Sequence, residues 1–174
     1  ILKLREEGVE LGDIAVLFRS GWHSNDLEVE LASRGIPFIK YGGQKFVEAA
    51  HVKDILSYLR IVYNMSDQVS WYRLLLLMRG IGTKTAERII NELVATGLII
   101  QGTKNKIVNK FEDLNGFIDI LRNVDLNKLS PAELIRIFLK HYEPLLKEKY
   151  DDFNKRINDL GSLERIAQRY SRIE

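Results

Sequence analysis

The chain has 174 residues, 45% hydrophobic and 29% charged, with 26 Lys and Arg against 24 Asp and Glu, a composition that excludes intrinsic disorder. The length is enough for one or two small domains that bury a core without covalent staples. Zero cysteines exclude a disulfide framework, a thiolate zinc site and a cysteine nucleophile, and suit a cytoplasmic setting.

The longest apolar run, Leu74 to Met78, is too short to cross a bilayer, and the N-terminus lacks the pattern of a signal peptide, so no membrane partner is expected. The chain opens without Met inside a helix-like stretch, as a piece of a longer protein would. Charge is uneven. Residues 1–70 carry a net −2 and residues 111–174 a net −1, whereas residues 71–110 hold seven basic side chains against two acidic ones, a local +5. Positive charge concentrated in forty residues is what a polyanion-binding patch requires.

The first forty residues read as strand, helix, strand. Ile14-Ala15-Val16-Leu17-Phe18 is short, apolar and β-branched twice, which predicts a buried strand. Ser24 or Asn25 can cap a helix carrying Leu27, Leu31 and Ala32, with Gly35 at its C-terminal cap. Residues 36–41 then read as a second strand, with Pro37 at its start or on an edge.

From Lys45 the pattern is helical. Val52, Ile55, Leu56, Leu59 and Val62 define the buried stripe of a helix over about 49–63, leaving Lys53 and Arg60 outward. A second helix is predicted over about 68–78 after Ser66-Asp67, and a third from Thr83, carrying Ala86, Ile89, Ile90, Leu93 and Val94. The stretch holding Gly97, Gly102, Lys104, Asn105 and Lys106 reads as a loop. Further helices are predicted near 111–122, 131–149 and 162–172. Ser130-Pro131-Ala132-Glu133 is a strong helix start, and Pro144 predicts a kink or an end near His141-Tyr142.

The sharpest chemical signal lies between the second and third of these helices. In Arg79-Gly80-Ile81-Gly82-Thr83-Lys84-Thr85-Ala86, a Gly-apolar-Gly turn joins two apolar helices and a small residue follows four positions on, the pattern of a helix-hairpin-helix. Glycines at positive φ, Gly82 among them, would let backbone amides press against a phosphate at the start of the next helix. Arg79, Lys84 and Arg88 would add charge, and such a grip reads the DNA backbone, not the bases. The competing reading is a plain tight turn between packed helices.

Gly82-Thr83-Lys84-Thr85 is not a nucleotide-binding loop, because a threonine separates glycine from lysine and the preceding segment is helical. His23, His51 and His141 lack metal-ligand spacing and read as structural or surface residues. Asp151-Asp152 and Glu6-Glu7 read as solvated. Trp71, at helical spacing, reads as packing; Trp22, in a loop after the first predicted strand, is open to either packing or base stacking.

Several segments together resemble the UvrD/PcrA/Rep superfamily 1 DNA helicases. They are Ile14 to Ser20, Leu27-Glu28, Gly35 to Phe38, Tyr41 to Phe46, Val52 to Arg60 and Arg79 to Thr85, matching in order and spacing; Arg156 to Ala167 is looser. The resemblance implies a mostly α chain, with residues 1–44 forming part of the second RecA-like motor domain, a short α/β segment, and residues 45–174 the helical accessory domain called 2B. It places Arg19 and Ser20 at the motor's single-strand track, and Gly80, Ile81, Gly82 and Thr83 in a loop that grips duplex DNA. Gly42, Gly43 and Phe46 mark the crossing between domains. The family's nucleotide-binding loop, Mg²⁺ motif and late arginine motifs are missing from this sequence. No cofactor is therefore expected in this chain, ATP and Mg²⁺ being those of the parent 3′ to 5′ helicase. The expected partners are duplex and single-stranded DNA and the remaining motor domains. In the rival reading the helices form a protein-interaction module for a repair or transcription partner.

Overall fold

The computed structural model describes residues 1–95, 97, 99, 106–126 and 128–172, the side chain of Leu93 excepted. Most of the loop predicted after Gly97 lies outside them. The chain forms two compact units, Ile1–Gly43 and Gln44–Glu174.

The first unit holds α1 (Leu2–Glu6) and α2 (Asn25–Ser33), with short 3₁₀ turns at Leu11–Asp13 and Gly21–Ser24. Helix α2 ends as its sequence dictates. Gly35 takes φ +64, its amide donates to the Ala32 carbonyl at 3.1 Å, and the Ile36 amide donates to the Leu31 carbonyl at 2.9 Å. This is the Schellman arrangement, with Leu31 and Ile36 both buried beside it. Ser24, expected to cap the helix, instead donates its hydroxyl to the carboxylate of Glu28 at 2.6 Å. Lys40 Nζ donates to the same oxygen, so the buried acid is paired.

The two predicted strands are not formed, and the described residues contain no β-strand. Ile14 is extended, at φ −103 and ψ 118, yet residues 14–18 and 36–41 lack a paired neighbour. An extended run becomes a strand only when another run takes its amides and carbonyls. Here Leu17 is 93% and Ile39 77% exposed.

The second unit is helical: α3 (Ala50–Tyr63), α4 (Gln68–Leu75), α5 (Thr83–Ile89), α6 (Glu112–Asn123), α7 (Pro131–Lys149) and α8 (Phe153–Ala167). The α5 spiral continues as a π-helical turn over Ile90–Val94. Asp67 caps α4, its Oδ1 accepting the Ser70 amide at 3.1 Å. Ser130 and Glu133 form a complete capping box at the head of α7. The predicted stripe on α3 is inward at Val52, Ile55 and Val62, and Lys53 and Arg60 are outward.

Aromatic side chains from four helices meet in the core. Tyr58 of α3 stacks on Phe138 of α7 at 5.1 Å and meets Phe117 of α6 edge-on at 4.9 Å, while Trp71 of α4 lies 5.3 Å from Phe117. Trp71 is fully buried and its Nε1 donates to the Met65 carbonyl, so it is packing. A buried polar knot ties three helices together. Asp54 of α3 accepts from Tyr142 Oη of α7 and from Arg73 Nε of α4, each at 2.6 Å, and Arg73 also donates to the Ala50 carbonyl. Burial and the Asp54 charge push the Tyr142 phenol well above its ordinary range.

Two expectations need correction. Helix α7 runs without a break through Pro144 to Lys149. The ring removes one amide donor, but Pro144 faces solvent while Tyr142, Leu145 and Leu146 are buried around it, so packing outweighs the missing bond. Helix α8, predicted near 162–172, starts well before that at Phe153 and ends at Ala167. Asn154, Asn158 and Gly161 weaken its propensity signal, yet Leu160, Leu163, Ile166 and Ala167 are buried on one face.

Candidate nucleic-acid interface

The turn between α4 and α5 is built by its two glycines in different ways. After Leu75 the chain tightens, with the Met78 amide donating to the Leu75 carbonyl and the Ile81 amide to the Met78 carbonyl. Gly80 reverses the chain at φ +76, and a Cβ there would meet the Phe111 ring at 3.5 Å. Gly82, expected at positive φ, is extended at φ −94 and ψ 177, with open space where a side chain would stand. The reversal is completed at Gly80, so the second glycine needs no left-handed conformation. Its position is the N-cap of α5, and Thr83, the predicted start of the third helix, is the first helical residue.

Ile81 and Ala86 are buried and hold the turn against the helices. Around them Gly80, Gly82, Thr83 and Lys84 are exposed and Thr85 is half-buried. The amides of Thr83, Lys84 and Thr85 are the first three of α5 and lack an acceptor within their own helix. Gly82 has no side chain with which to cap them. The ammonium of Lys84 forms no ion pair among the described residues, and Arg88 makes only a long, exposed pair with Glu92 at 3.9 Å. Amides without an intrahelical acceptor, a helix N-terminus and two nearby cations favour an anion electrostatically.

Arg79 is held differently. Asp113 Oδ2 accepts its backbone amide at 2.9 Å and its Nε at 3.0 Å, and Asp113 Oδ1 accepts a terminal guanidinium nitrogen at 2.6 Å. These bonds hold the Asp113 carboxyl well below the usual carboxylate range and push the Arg79 guanidinium up. Asp113 is in turn fixed from behind. Its carbonyl accepts His141 Nε2–H at 2.7 Å, so Nδ1 is the ring's acceptor and takes the Tyr58 hydroxyl proton at 2.9 Å. Burial lowers the His141 pKa and raises that of Tyr58. No local pattern could have revealed this partnership, since Asp113 lies 34 residues beyond Arg79 and reads as an ordinary first-turn acid.

Arg19 and Ser20 lie in the first unit, apart from this turn in the chain. Arg19 is exposed and Ser20 half-buried, and both border an open groove of about 790 Å³ walled by apolar residues including Phe18, Leu27, Ile36 and Phe38. Trp22 is 53% exposed, its ring 3.8 Å from that of His23. His51 is buried between Asp159, which accepts from its Nε2, and Arg156, which donates to its Nδ1. Asp152 pairs with Arg156 at the surface.

The described residues are mostly helical, with a two-glycine turn between two packed helices. The chain belongs to the UvrD-like helicase C-terminal domain family, whose model matches residues 1–173. It is 29% identical over 179 residues to the ATP-dependent DNA helicase PcrA of Staphylococcus aureus, a match covering 95% of this chain and 23% of that protein. The PcrA of Staphylococcus epidermidis is 28% identical over 178 residues, covering 100% of this chain and 23% of its own length. The chain thus spans less than a quarter of the relatives it matches. No helix among the described residues is long and apolar enough to cross a membrane.

Proposed function

We propose that the chain is the DNA-binding part of an ATP-dependent 3′ to 5′ DNA helicase, in which residues 45–174 form a 2B-type accessory domain that holds the duplex by its phosphates. The observation that carries this reading is the start of α5, where the amides of Thr83, Lys84 and Thr85 lack an acceptor in their own helix, beside exposed Gly82 and between buried Ile81 and Ala86, in a member of a helicase family. Gly80 sets the turn, and Lys84 and Arg88 supply charge. The contact is independent of base sequence because everything it touches is backbone. By gripping the duplex, the domain regulates unwinding by the motor.

Residues 1–44 are, in this reading, part of a RecA-like α/β motor domain, with Arg19 and Ser20 facing single-stranded DNA. Segments 14–18 and 36–41 become strands when the rest of that sheet pairs with them. ATP and Mg²⁺ do not fit this chain's own residues. Gly82-Thr83-Lys84-Thr85 joins helix to helix, and no group of three or more candidate metal ligands occurs among the described residues. Nucleotide chemistry belongs to the other motor domains, which are the chain's natural partners.

The test is the binding of a short mixed-sequence DNA duplex, followed by fluorescence anisotropy across a salt series. With ~2 to 4 phosphates neutralised, log K against log salt should fall with a slope of about −2 to −4. A slope near zero, or strong preference for one base sequence, would overturn the reading and favour a protein-docking role.

A further inference from the structure

Of the cations around the turn, Arg79 is the one whose every directional bond goes inward. Its backbone amide, Nε and a terminal nitrogen all donate to one carboxylate. That carboxylate is the better buried partner, with side-chain exposures of 10% for Asp113 and 56% for Arg79. Charge-assisted forks of this kind fix orientation as well as adding energy. The fork is anchored in the core through a continuous series of bonds, from the Asp113 carbonyl to His141 and on to the fully buried Tyr58. The Phe111 ring braces the same turn at Gly80. Glu112 and Glu148 also act on the Arg79 charge, so its surroundings are acidic and repel a phosphate, whereas Lys84 forms no ion pair among the described residues.

We infer that Arg79 is a positioning residue and not a phosphate ligand: the Arg79–Asp113 fork, braced by His141, aims the turn's amides, and the phosphate approaches from the Lys84 side. The inference rests on the duplex-binding reading above, which it deepens by dividing the basic residues into one that contacts and one that orients. Removing a phosphate ligand lowers both affinity and the salt slope, because one fewer counterion is released. Removing an orienting residue lowers affinity and leaves the slope alone.

The experiment measures the same salt series for the whole chain with Lys84→Ala, Arg79→Ala, Arg79→Lys and Asp113→Ala, each checked for folding by circular dichroism and urea denaturation. Lys84→Ala should reduce the slope magnitude by about 1. Arg79→Ala and Arg79→Lys should both weaken binding about tenfold, the scale of one lost charge-assisted bond, with the wild-type slope retained. Lysine keeps the charge but cannot make the fork, and Asp113→Ala should weaken binding although it removes a negative charge. The inference is overturned if Arg79→Lys binds like wild type while Arg79→Ala loses slope, or if Asp113→Ala tightens binding. Salt-independent binding by the wild-type chain would instead remove the duplex-binding reading itself, and this inference with it. Should Asp113→Ala fail to fold, the two Arg79 variants decide alone.

Discussion

In the first unit the extended segments leave large apolar side chains in solvent, Leu17 at 93% and Tyr41 at 89% exposure, whereas in the second Trp71, Tyr58 and Phe117 are each 0% exposed. Both units draw on similar residues. They differ in where the backbone finds its partners. A helix satisfies its amides within its own turns, so the described helices of the second unit can bury a shared face using only nearby sequence. An extended segment needs a neighbouring strand, and residues 14–18 and 36–41 do not pair within Ile1–Gly43. Local hydrogen bonding is what makes one unit self-sufficient and the other dependent.

The largest test of this contrast is truncation of the core. Phe117→Ala removes a ring that touches Tyr58, Trp71 and Phe138 and should destabilise the second unit by ~3–5 kcal/mol in urea denaturation. Leu17→Ala, at a solvent-facing position of the first unit, should change stability by no more than about 0.5 kcal/mol. Similar losses at the two positions would break the comparison.

The two glycines of the turn sharpen it at the level of single residues. Gly80→Ala forces a side chain into the left-handed region beside Phe111 and should cost ~1–2 kcal/mol, with weaker duplex binding, in parallel denaturation and anisotropy measurements. Gly82→Ala has open space and extended backbone, so its stability should stay close to wild type. Equal effects would mean that the turn is set by something other than the conformation of Gly80.

The same distinction explains what could be read from the sequence. Helices α3, α4, α6 and α7 follow apolar spacing and caps that act within a few residues, including the capping box at Ser130 and the closure at Gly35. The turn around Gly80-Ile81-Gly82 is legible for the same reason. What escaped is set at long range or by competition. The hold of Asp113 on Arg79, the triangle of Asp54, Arg73 and Tyr142, and the missing strand ladder all join segments with no common pattern. Pro144 does not end α7 because burial on either side of it overrides a local breaker, and α8 starts earlier than predicted because Gly161 and two asparagines mask an apolar face.

A smaller effect is expected at the cap of α7. Ser130→Ala removes the acceptor of the Glu133 amide and should cost about 1 kcal/mol, again by urea denaturation. Glu133→Gln should cost less, because glutamine can still return a bond to the Ser130 amide. Equal losses would assign the stabilisation to the Glu133 charge near the helix N-terminus.

The smallest expected effect is one of pH, and it separates the packed unit from the open one because it depends on burial. His141 is half-buried beside Phe117, with Nε2–H donated to the Asp113 carbonyl and Nδ1 accepting from Tyr58. Burial lowers its pKa below the ordinary 6.5, outweighing the Asp113 carbonyl and charge, which act the other way. The unfolded chain therefore binds this proton at a pH where the folded chain does not. Stability should be full above 6.5 and decline as pH falls from there through the lower folded value. Protonation would put a donor on Nδ1 against the Tyr58 hydroxyl, whose own proton would then have to turn away. Urea denaturation at pH 7 and pH 5 should show the decline, and His141→Gln, which does not titrate, should flatten it at the cost of lower stability at pH 7. Asp113 adds no slope in this interval, because its depressed pKa confines its loss of stabilisation to more acidic conditions. A variant that kept the wild-type slope would place the responsible proton on another group and leave the His141 bridge a packing contact only.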